Sequence, residues 1–278
     1  MTLMKTSVAV VTGAASGIGR ALAVRLARES IAGVAIADVD VDGLEETERM
    51  AGRFGAKIST HEVDASQLAQ IERLKDEVLS AHDRATHLVN NAGVALLGTF
   101  EDVSLEDFEW LMGINFWGVV YGCKTFLPVL KEQQKAHIVN VSSVFGLVAP
   151  PEQAAYCASK FAVRGFTESL RHELEDSSVR VSSVHPGGIK TNIARRARLG
   201  ANTPADYKRQ GAEFFEQVAR TTPEQAADAI LRGIKAENPR ILIGSDAYAI
   251  NYISRRFPKK YLRIIEKISG HRLDLRKS

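Results

Sequence analysis

The stretch Ser7-Val-Ala-Val-Val-Thr12-Gly13-Ala14-Ala15-Ser16-Gly17-Ile18-Gly19 decides the fold. Its first half is a short apolar, β-branched run, too short for a typical helix and suited to a strand covered on both faces. Its second half places glycines at 13, 17 and 19, just before a segment (18–29) whose apolar residues recur at helical spacing. A strand that turns sharply into a helix leaves free amide N–H groups and the positive end of the helix dipole facing the turn. Gly13, Ser16, Gly17, Ile18 and Gly19 would let a pyrophosphate approach that backbone closely. The alternative reading is a tight turn without a ligand, since a glycine cluster alone discriminates poorly.

Outward from that loop, short apolar runs alternate with longer helical patterns. Strands are expected at 7–12, 33–38, 58–63, 87–90, 137–142, 180–185 and 240–244, and helices at 18–29, 42–54, 67–81, 105–130, 155–175 and 223–236. Strict alternation of this kind predicts an α/β fold of the Rossmann type: a doubly wound parallel sheet in three layers, with helices on both faces. The 278 residues sit near the ceiling for one core, so one domain is expected over 1–250, with a less regular insertion at about 192–222 and a C-terminal helical extension at 251–278.

With 45% apolar and 25% charged residues the chain is globular rather than disordered. Its net charge of +3 is unevenly spread: residues 251–278 hold nine Lys or Arg against Glu266 and Asp274, a balance of +7, which leaves 27 basic and 31 acidic residues before them, a balance of −4. A nucleic-acid binder would carry its basic surface on the folded body, so that class is not expected. Two cysteines, Cys123 and Cys157, provide neither a disulfide framework nor metal-ligand spacing, and no apolar run reaches the roughly 20 residues of a membrane span. The opening MTLMKTSVAVVTG runs directly into a strand, so a cytoplasmic protein without bound metal is expected.

Asp38 ends the second strand, where a carboxylate can accept hydrogen bonds from an adenosine ribose and would repel a 2′-phosphate. No Arg or Lys follows at 39, so NAD is expected over NADP; the other reading of Asp38 is a solvated strand end beside Asp40 and Asp42. Tyr156 and Lys160, four residues apart on a helical segment, share one face. A phenol of reference pKa about 10 beside an ammonium can serve as general acid and base. Ser143 stands thirteen residues before Tyr156, at the carboxyl end of a strand, where its hydroxyl could stabilise a carbonyl oxygen gaining charge; Ser142 competes for that role.

These segments resemble the short-chain dehydrogenase/reductase family: Thr-Gly-x-x-x-Gly-x-Gly at 12–19, Asn90-Asn91-Ala92-Gly93 after the fourth strand, Ser143, Tyr156-x-x-x-Lys160, and Pro186-Gly187-Gly188-Ile189-Lys190-Thr191. The resemblance implies that Asp64 contacts adenine, and that Asn91, Ala92 and Gly93 line the cofactor cleft. It also implies that Pro186, Gly187, Ile189 and Thr191 cover and bind the nicotinamide carboxamide. Asn115, an unfavoured residue inside a helical pattern, would disturb that helix and hold a water continuing the proton path from Lys160. The implied activity is hydride transfer between a small-molecule alcohol, or its ketone or aldehyde, and NAD. An NADP-dependent reductase of lipophilic carbonyls and a cofactor-binding scaffold are the alternatives. The family also implies a homodimer or homotetramer built on the helices at 105–130 and 155–175, and a substrate-selecting role for 192–222.

Cys157, about 100° round the helix from Tyr156, is read as a packing residue, His185 as structural, and the Asn140-Val-Ser142 sequon as buried. In the tail, Ile253, Phe257, Tyr261, Ile264, Ile265 and Ile268 recur at three- or four-residue intervals among cations, an amphipathic helix broken near Pro258. Docking of its apolar face on the body or a neighbouring subunit is preferred to peripheral contact with anionic lipid.

Overall fold

A computed structural model describes residues 3–270; of the basic tail, Arg272, Asp274, Arg276 and Lys277 lie outside the described residues. The elements in chain order are β1 (Val8–Thr12), α1 (Gly17–Ala27), β2 (Gly33–Asp38), α2 (Val41–Ala51), β3 (Lys57–Glu62), α3 (Leu68–His82), β4 (His87–Asn90) and β5 (Leu96–Leu97). They continue with α4 (Leu105–Met112), α5 (Gly118–Lys131), β6 (Ala136–Val141), α6 (Ala154–Glu173), β7 (Val179–Pro186), β8 (Arg198–Leu199), α7 (Asp206–Val218), α8 (Pro223–Lys235), β9 (Arg240–Ile243), α9 (Ser245–Arg256) and α10 (Tyr261–Ser269).

Seven strands form a sheet in the order β3-β2-β1-β4-β6-β7-β9. All of its pairings are parallel, so the doubly wound sheet expected from the sequence is present. Alternate residues of β1 feed opposite faces. Ala9 and Val11 pack with Leu22 and Leu26 of α1 and Ile230 and Ile234 of α8, whereas Val10 packs with Leu74 of α3, Phe126 of α5 and Val163 of α6. The chain winds outward from β1 to β3 and then returns to place β4 on the other side of β1. That reversal opens a crevice at the carboxyl ends of β1 and β4, the place where such sheets bind ligands.

The single helix expected at 105–130 is interrupted. Between α4 and α5 the residues Gly113–Trp117 form a π-helical turn, because the Asn115 side chain bonds a neighbouring segment. In 192–222, expected to be irregular, α7 forms and buries Tyr207 and Gly211, while β8 pairs in parallel with β5 as a separate two-stranded sheet. This excursion begins and ends at one place. Ile189 bridges Thr221, the Lys190 amide donates to the Thr221 carbonyl at 2.9 Å, and the Thr221 amide donates to the Gly188 carbonyl at 3.2 Å.

The tail breaks at 257–260, around Pro258, as expected from the proline. Helix α9 buries Ala247 and Ile253 and leaves Tyr248 and Tyr252 exposed; α10 buries no residue, but the Tyr261 hydroxyl accepts a hydrogen bond from the Ala149 amide at 3.2 Å. Among the described residues no helix is long and apolar enough to cross a membrane.

Helix α5 lies so close to β4 that a Cβ on Gly122 would collide with the Asn90 side chain. Asn90 cannot yield freely. Its amide donates to Asn140 Oδ1 at 2.8 Å, and Asn140 in turn donates to Thr167 of α6 at 3.0 Å, all buried. Gly122→Ala is therefore expected to destabilise the protein by about 1–3 kcal/mol, seen in a thermal melt as a fall of several degrees. An unchanged melt would mean that helix and strand separate without cost.

Candidate active site

The loop after β1 is shaped by backbone that only glycine adopts comfortably: φ is +66° at Gly13 and +54° at Gly17. A Cβ on Gly13 would stand 2.7 Å from the Ala92 backbone, and one on Gly19 would strike the Gly13 carbonyl. The Thr12 hydroxyl receives the Asn91 and Ala92 amides, each at 3.1 Å, while the Asn91 side-chain amide donates to the Thr12 and Gly13 carbonyls at 3.0 and 3.1 Å. The Asn-Asn-Ala-Gly segment is thereby bolted to the glycine loop. Ser16 is extended and α1 starts at Gly17, so Ile18 and Gly19 lie in its first turn. This cradle, which any side chain would fill, fits a dinucleotide pyrophosphate.

Asp38, at the end of β2, receives the Ala15 amide on one carboxylate oxygen at 3.0 Å and the Val39 and Asp40 amides on the other at 2.8 and 3.2 Å. It thereby holds the rim of the cradle. Two cations approach this rim that local sequence did not show. Arg20 donates to the Ala15 and Gly43 carbonyls, and Arg196, from 156 residues away, pairs with Asp40 at 3.5 Å. Asp64, beyond β3, accepts from the Ser66 amide and hydroxyl at 2.9 and 2.7 Å, a local turn.

Ser143 follows β6 in extended conformation and caps a short 3-10 turn through the Phe145 amide at 3.1 Å. Its hydroxyl stands near enough to the Tyr156 phenol to favour the phenolate, while its carbonyl receives Nδ1–H of buried His185 at 3.0 Å. Ser142 is otherwise employed: its hydroxyl donates to the Lys160 carbonyl at 2.8 Å, tying α6 to β6. Of the two serines, only Ser143 meets Tyr156.

The Tyr156 ring packs edge-on to Phe145 at 6.1 Å. Lys160 is buried, with Nζ 5.7 Å from the Tyr156 ring centroid and donating to the Val141 carbonyl at 3.1 Å. Burial pushes the phenol up to about 12, against a lowering by the Ser143 hydrogen bond, and burial brings Lys160 down to about 8. Desolvation therefore outweighs the ammonium's assistance that the four-residue spacing suggests. Cys157 is buried, and burial raises its thiol to about 12, consistent with an unreactive packing residue.

Asn115, wholly buried, accepts the Val94 amide at 2.8 Å and donates to the Val94 carbonyl at 3.0 Å and the Ser159 hydroxyl at 3.2 Å. A Cβ on Gly93 would lie 3.2 Å from Asn115 Oδ1 and 3.4 Å from Lys160 Nζ, so these groups converge on one bare backbone position. Pro186 ends β7; beyond it Gly187 and Gly188 are held by Asp246 of α9, whose carboxylate accepts the Gly188 amide at 2.7 Å and leaves no room for a Cβ on Gly187. Ile189 is buried, and the Thr191 methyl lies 3.2 Å from where a Cβ on Gly17 would stand. The Pro-Gly segment and the cradle thus face each other. Sequence reasoning read His185 as structural and Thr12 as part of the glycine motif without giving either a partner, and it did not single out Asp246. Asp246, just inside a helix that opens on a glycine, left a local trace.

A family profile described as short chain dehydrogenase matches residues 7–202. A protein of Mycobacterium tuberculosis named as the oxidoreductase SadH is 42% identical over 270 residues, covering 95% of this chain and 96% of that protein. Among solved structures, a short-chain dehydrogenase/reductase from Burkholderia phymatum in complex with NAD is 30% identical with a TM-score of 0.84, covering 99% of this chain and 98% of that one. A short-chain dehydrogenase from Mycobacterium paratuberculosis bound to NAD is 29% identical with a TM-score of 0.74, covering 87% and 97%.

Proposed function

The chain belongs to the short-chain dehydrogenase family and is an oxidoreductase, and from that premise we propose that it interconverts an alcohol and its ketone or aldehyde with NAD. The observation that carries this reading is buried Lys160, its Nζ 5.7 Å from the Tyr156 ring centroid, with the Ser143 hydroxyl on the side of the phenol. The dinucleotide would be held by Gly13, Ser16, Gly17, Ile18 and Gly19 at its pyrophosphate and by Asp38 at the adenosine ribose. Asp64 would meet adenine, Asn91, Ala92 and Gly93 would line the cleft, and Pro186, Gly187, Ile189 and Thr191 would enclose the nicotinamide. When bound, that cofactor takes up hydride in oxidation and, reduced, releases it.

The protein's residues handle the oxygen and its proton. In reduction Tyr156 donates its phenolic proton to the substrate oxygen, Ser143 stabilises the charge gathering there, and the Lys160 charge stabilises the phenolate left behind. Asn115, fixed to Val94 and Ser159, positions the relay that returns a proton toward Lys160. A steady-state assay of nicotinamide absorbance over a panel of alcohols and ketones tests the reading, and absence of turnover across the panel would defeat it.

The reading sets a pH dependence. Lys160 is charged below about 8 and neutral above it, while Tyr156 keeps its proton up to about 12. The kcat/KM for reduction is therefore expected to fall as pH rises through about 8, the loss coming from Lys160 and not from Tyr156. A profile flat to well above that value would show that the Lys160 charge is dispensable.

A homo-oligomer fits the same reading. Trp117 stacks on Tyr121 at 5.8 Å yet remains 47% exposed, and Phe161 on α6 is 40% exposed, on the helices by which the family is expected to associate. With both cysteines free thiols, a cytoplasmic setting suits the chain.

A further inference from the structure

The segment that follows Ser143 and the first turn of α6, which carries Tyr156, diverge around a cavity of about 500 Å3. That is the size of a pocket for a drug-sized molecule. Ala149, Pro150 and Pro151 line it together with Ala154 and Cys157, which precede and follow Tyr156 on α6. Phe100 forms the lip and is 68% exposed, more than an aromatic ring gains by facing water.

Three lining groups could bond a polar substrate, and each is engaged elsewhere. The Thr99 hydroxyl donates to Asp102 at 2.6 Å, Glu152 accepts from the Tyr207 hydroxyl of α7 at 3.2 Å, and the Cys157 thiol faces the Val148 carbonyl. A sugar or other hydroxylated body placed here would lose water and find few side-chain partners to replace it. Glu152 is also the one charged side chain among the lining residues, and its sign opposes a carboxylate or phosphate. The Tyr261 bond to the Ala149 amide pins the tail beside the same wall and spends a backbone donor that a polar substrate could have used.

Resting on the oxidoreductase reading above, we infer that the substrate is an uncharged alcohol or ketone with an apolar body, seated between Phe100, the Ala149–Pro151 wall and α6, with its oxygen at Ser143 and Tyr156. The same lining favours such a body over sugars, phosphorylated compounds and acids.

The test uses the full chain with the better of NADH and NADPH and a homologous series of methyl ketones from butanone to decanone, beside keto acids of matched length. Both kcat/KM and the affinity for the enzyme–cofactor complex are measured, the latter by calorimetry. Each is expected to rise about three- to fourfold per added methylene until the cavity is full, with the gain lost in the keto acids. Phe100→Ala should flatten the slope and Phe100→Leu should recover much of it, each variant being judged folded by an unchanged cofactor affinity. Turnover with a flat slope, or with keto acids preferred, overturns the apolar-substrate inference and leaves the oxidoreductase reading standing. Affinity that rises with length but without turnover supports the pocket and defeats the oxidoreductase reading. No binding by any long ketone overturns the inference regardless of turnover.

Discussion

Tyr156→Phe is expected to lower turnover by about 10²–10⁴-fold while leaving NAD affinity within a few fold. The substitution keeps the ring, and with it the edge-on contact to Phe145 and the place beneath Lys160 Nζ. It deletes the hydroxyl, so the substrate oxygen loses its proton donor. Ser143 and Lys160 cannot replace it. The serine hydroxyl is a far weaker acid, and the Lys160 ammonium is directed at the Val141 carbonyl. Calorimetry with NAD beside a steady-state assay separates binding from chemistry. A variant retaining a tenth or more of the activity would require a different proton donor, and one that no longer binds NAD would show that the hydroxyl is part of the cofactor site.

The second large effect concerns cofactor choice. Asp38→Ala with Val39→Arg is expected to move the kcat/KM ratio from NAD toward NADP by roughly 10- to 100-fold or more, because a hydrogen bond to a charged group contributes about 1.5–3 kcal/mol and the carboxylate's repulsion is removed as well. Val39 is 62% exposed, so an arginine there is accommodated without repacking. Asp38 has a second task, receiving the Ala15 amide of the cradle, so Asp38→Ala alone should weaken both cofactors. Val39→Arg alone should raise NADP use with little loss of NAD. Arg196, paired with Asp40 on the same rim, stands ready to assist a 2′-phosphate once Asp38 is gone. An unmodified enzyme that already prefers NADP would reverse the proposed role of Asp38.

The parts of this molecule legible in the sequence are those written in local chemistry. Parallel strands covered on both faces read as unbroken apolar runs, which is why β1, β2 and β4 fall at or within a residue of their expected bounds. Asn115 stood out because asparagine sits poorly inside a helix, and the π-helical turn at Gly113–Trp117 is the structural result. The choice of Ser143 over Ser142 rested on an interval; in the structure the Ser142 hydroxyl is taken up by the Lys160 carbonyl.

What escaped the sequence depends on contacts between distant segments. Asp246 holds Gly188 across 58 residues and Arg196 reaches Asp40 across 156, and nothing in the neighbourhood of either names its distant partner. Helix α7 was hidden differently. Tyr207, Gly211, Phe214 and Val218 have helical spacing, but one of its two buried positions is a glycine and the flanking Gly200 and Pro204 suggest a loop. The Tyr156 phenol was judged by its cationic neighbour, whereas burial is a property of the packed whole.

The paired backbone at Gly188–Lys190 and Thr221 means that the chain leaves the body and returns to it through one gate, two hydrogen bonds wide. The stretch from 199 to 220, beyond Thr191 and Arg196 at the cofactor rim, is therefore open to exchange as one piece. Lengthening it, shortening it or exchanging it for an unrelated segment leaves the strand register of the main sheet untouched, and each doubling of its length costs only about 0.6 kcal/mol of closure entropy. A graft has to keep or reproduce the couplings that seat the segment on the body, among them β8 to β5, Tyr207 to Glu152, Arg196 to Asp40, and Arg198 to Asp107 and the Trp110 ring. On such a chassis a new substrate preference can be installed by replacing one contiguous piece of gene, with the proton-transfer machinery carried over unaltered.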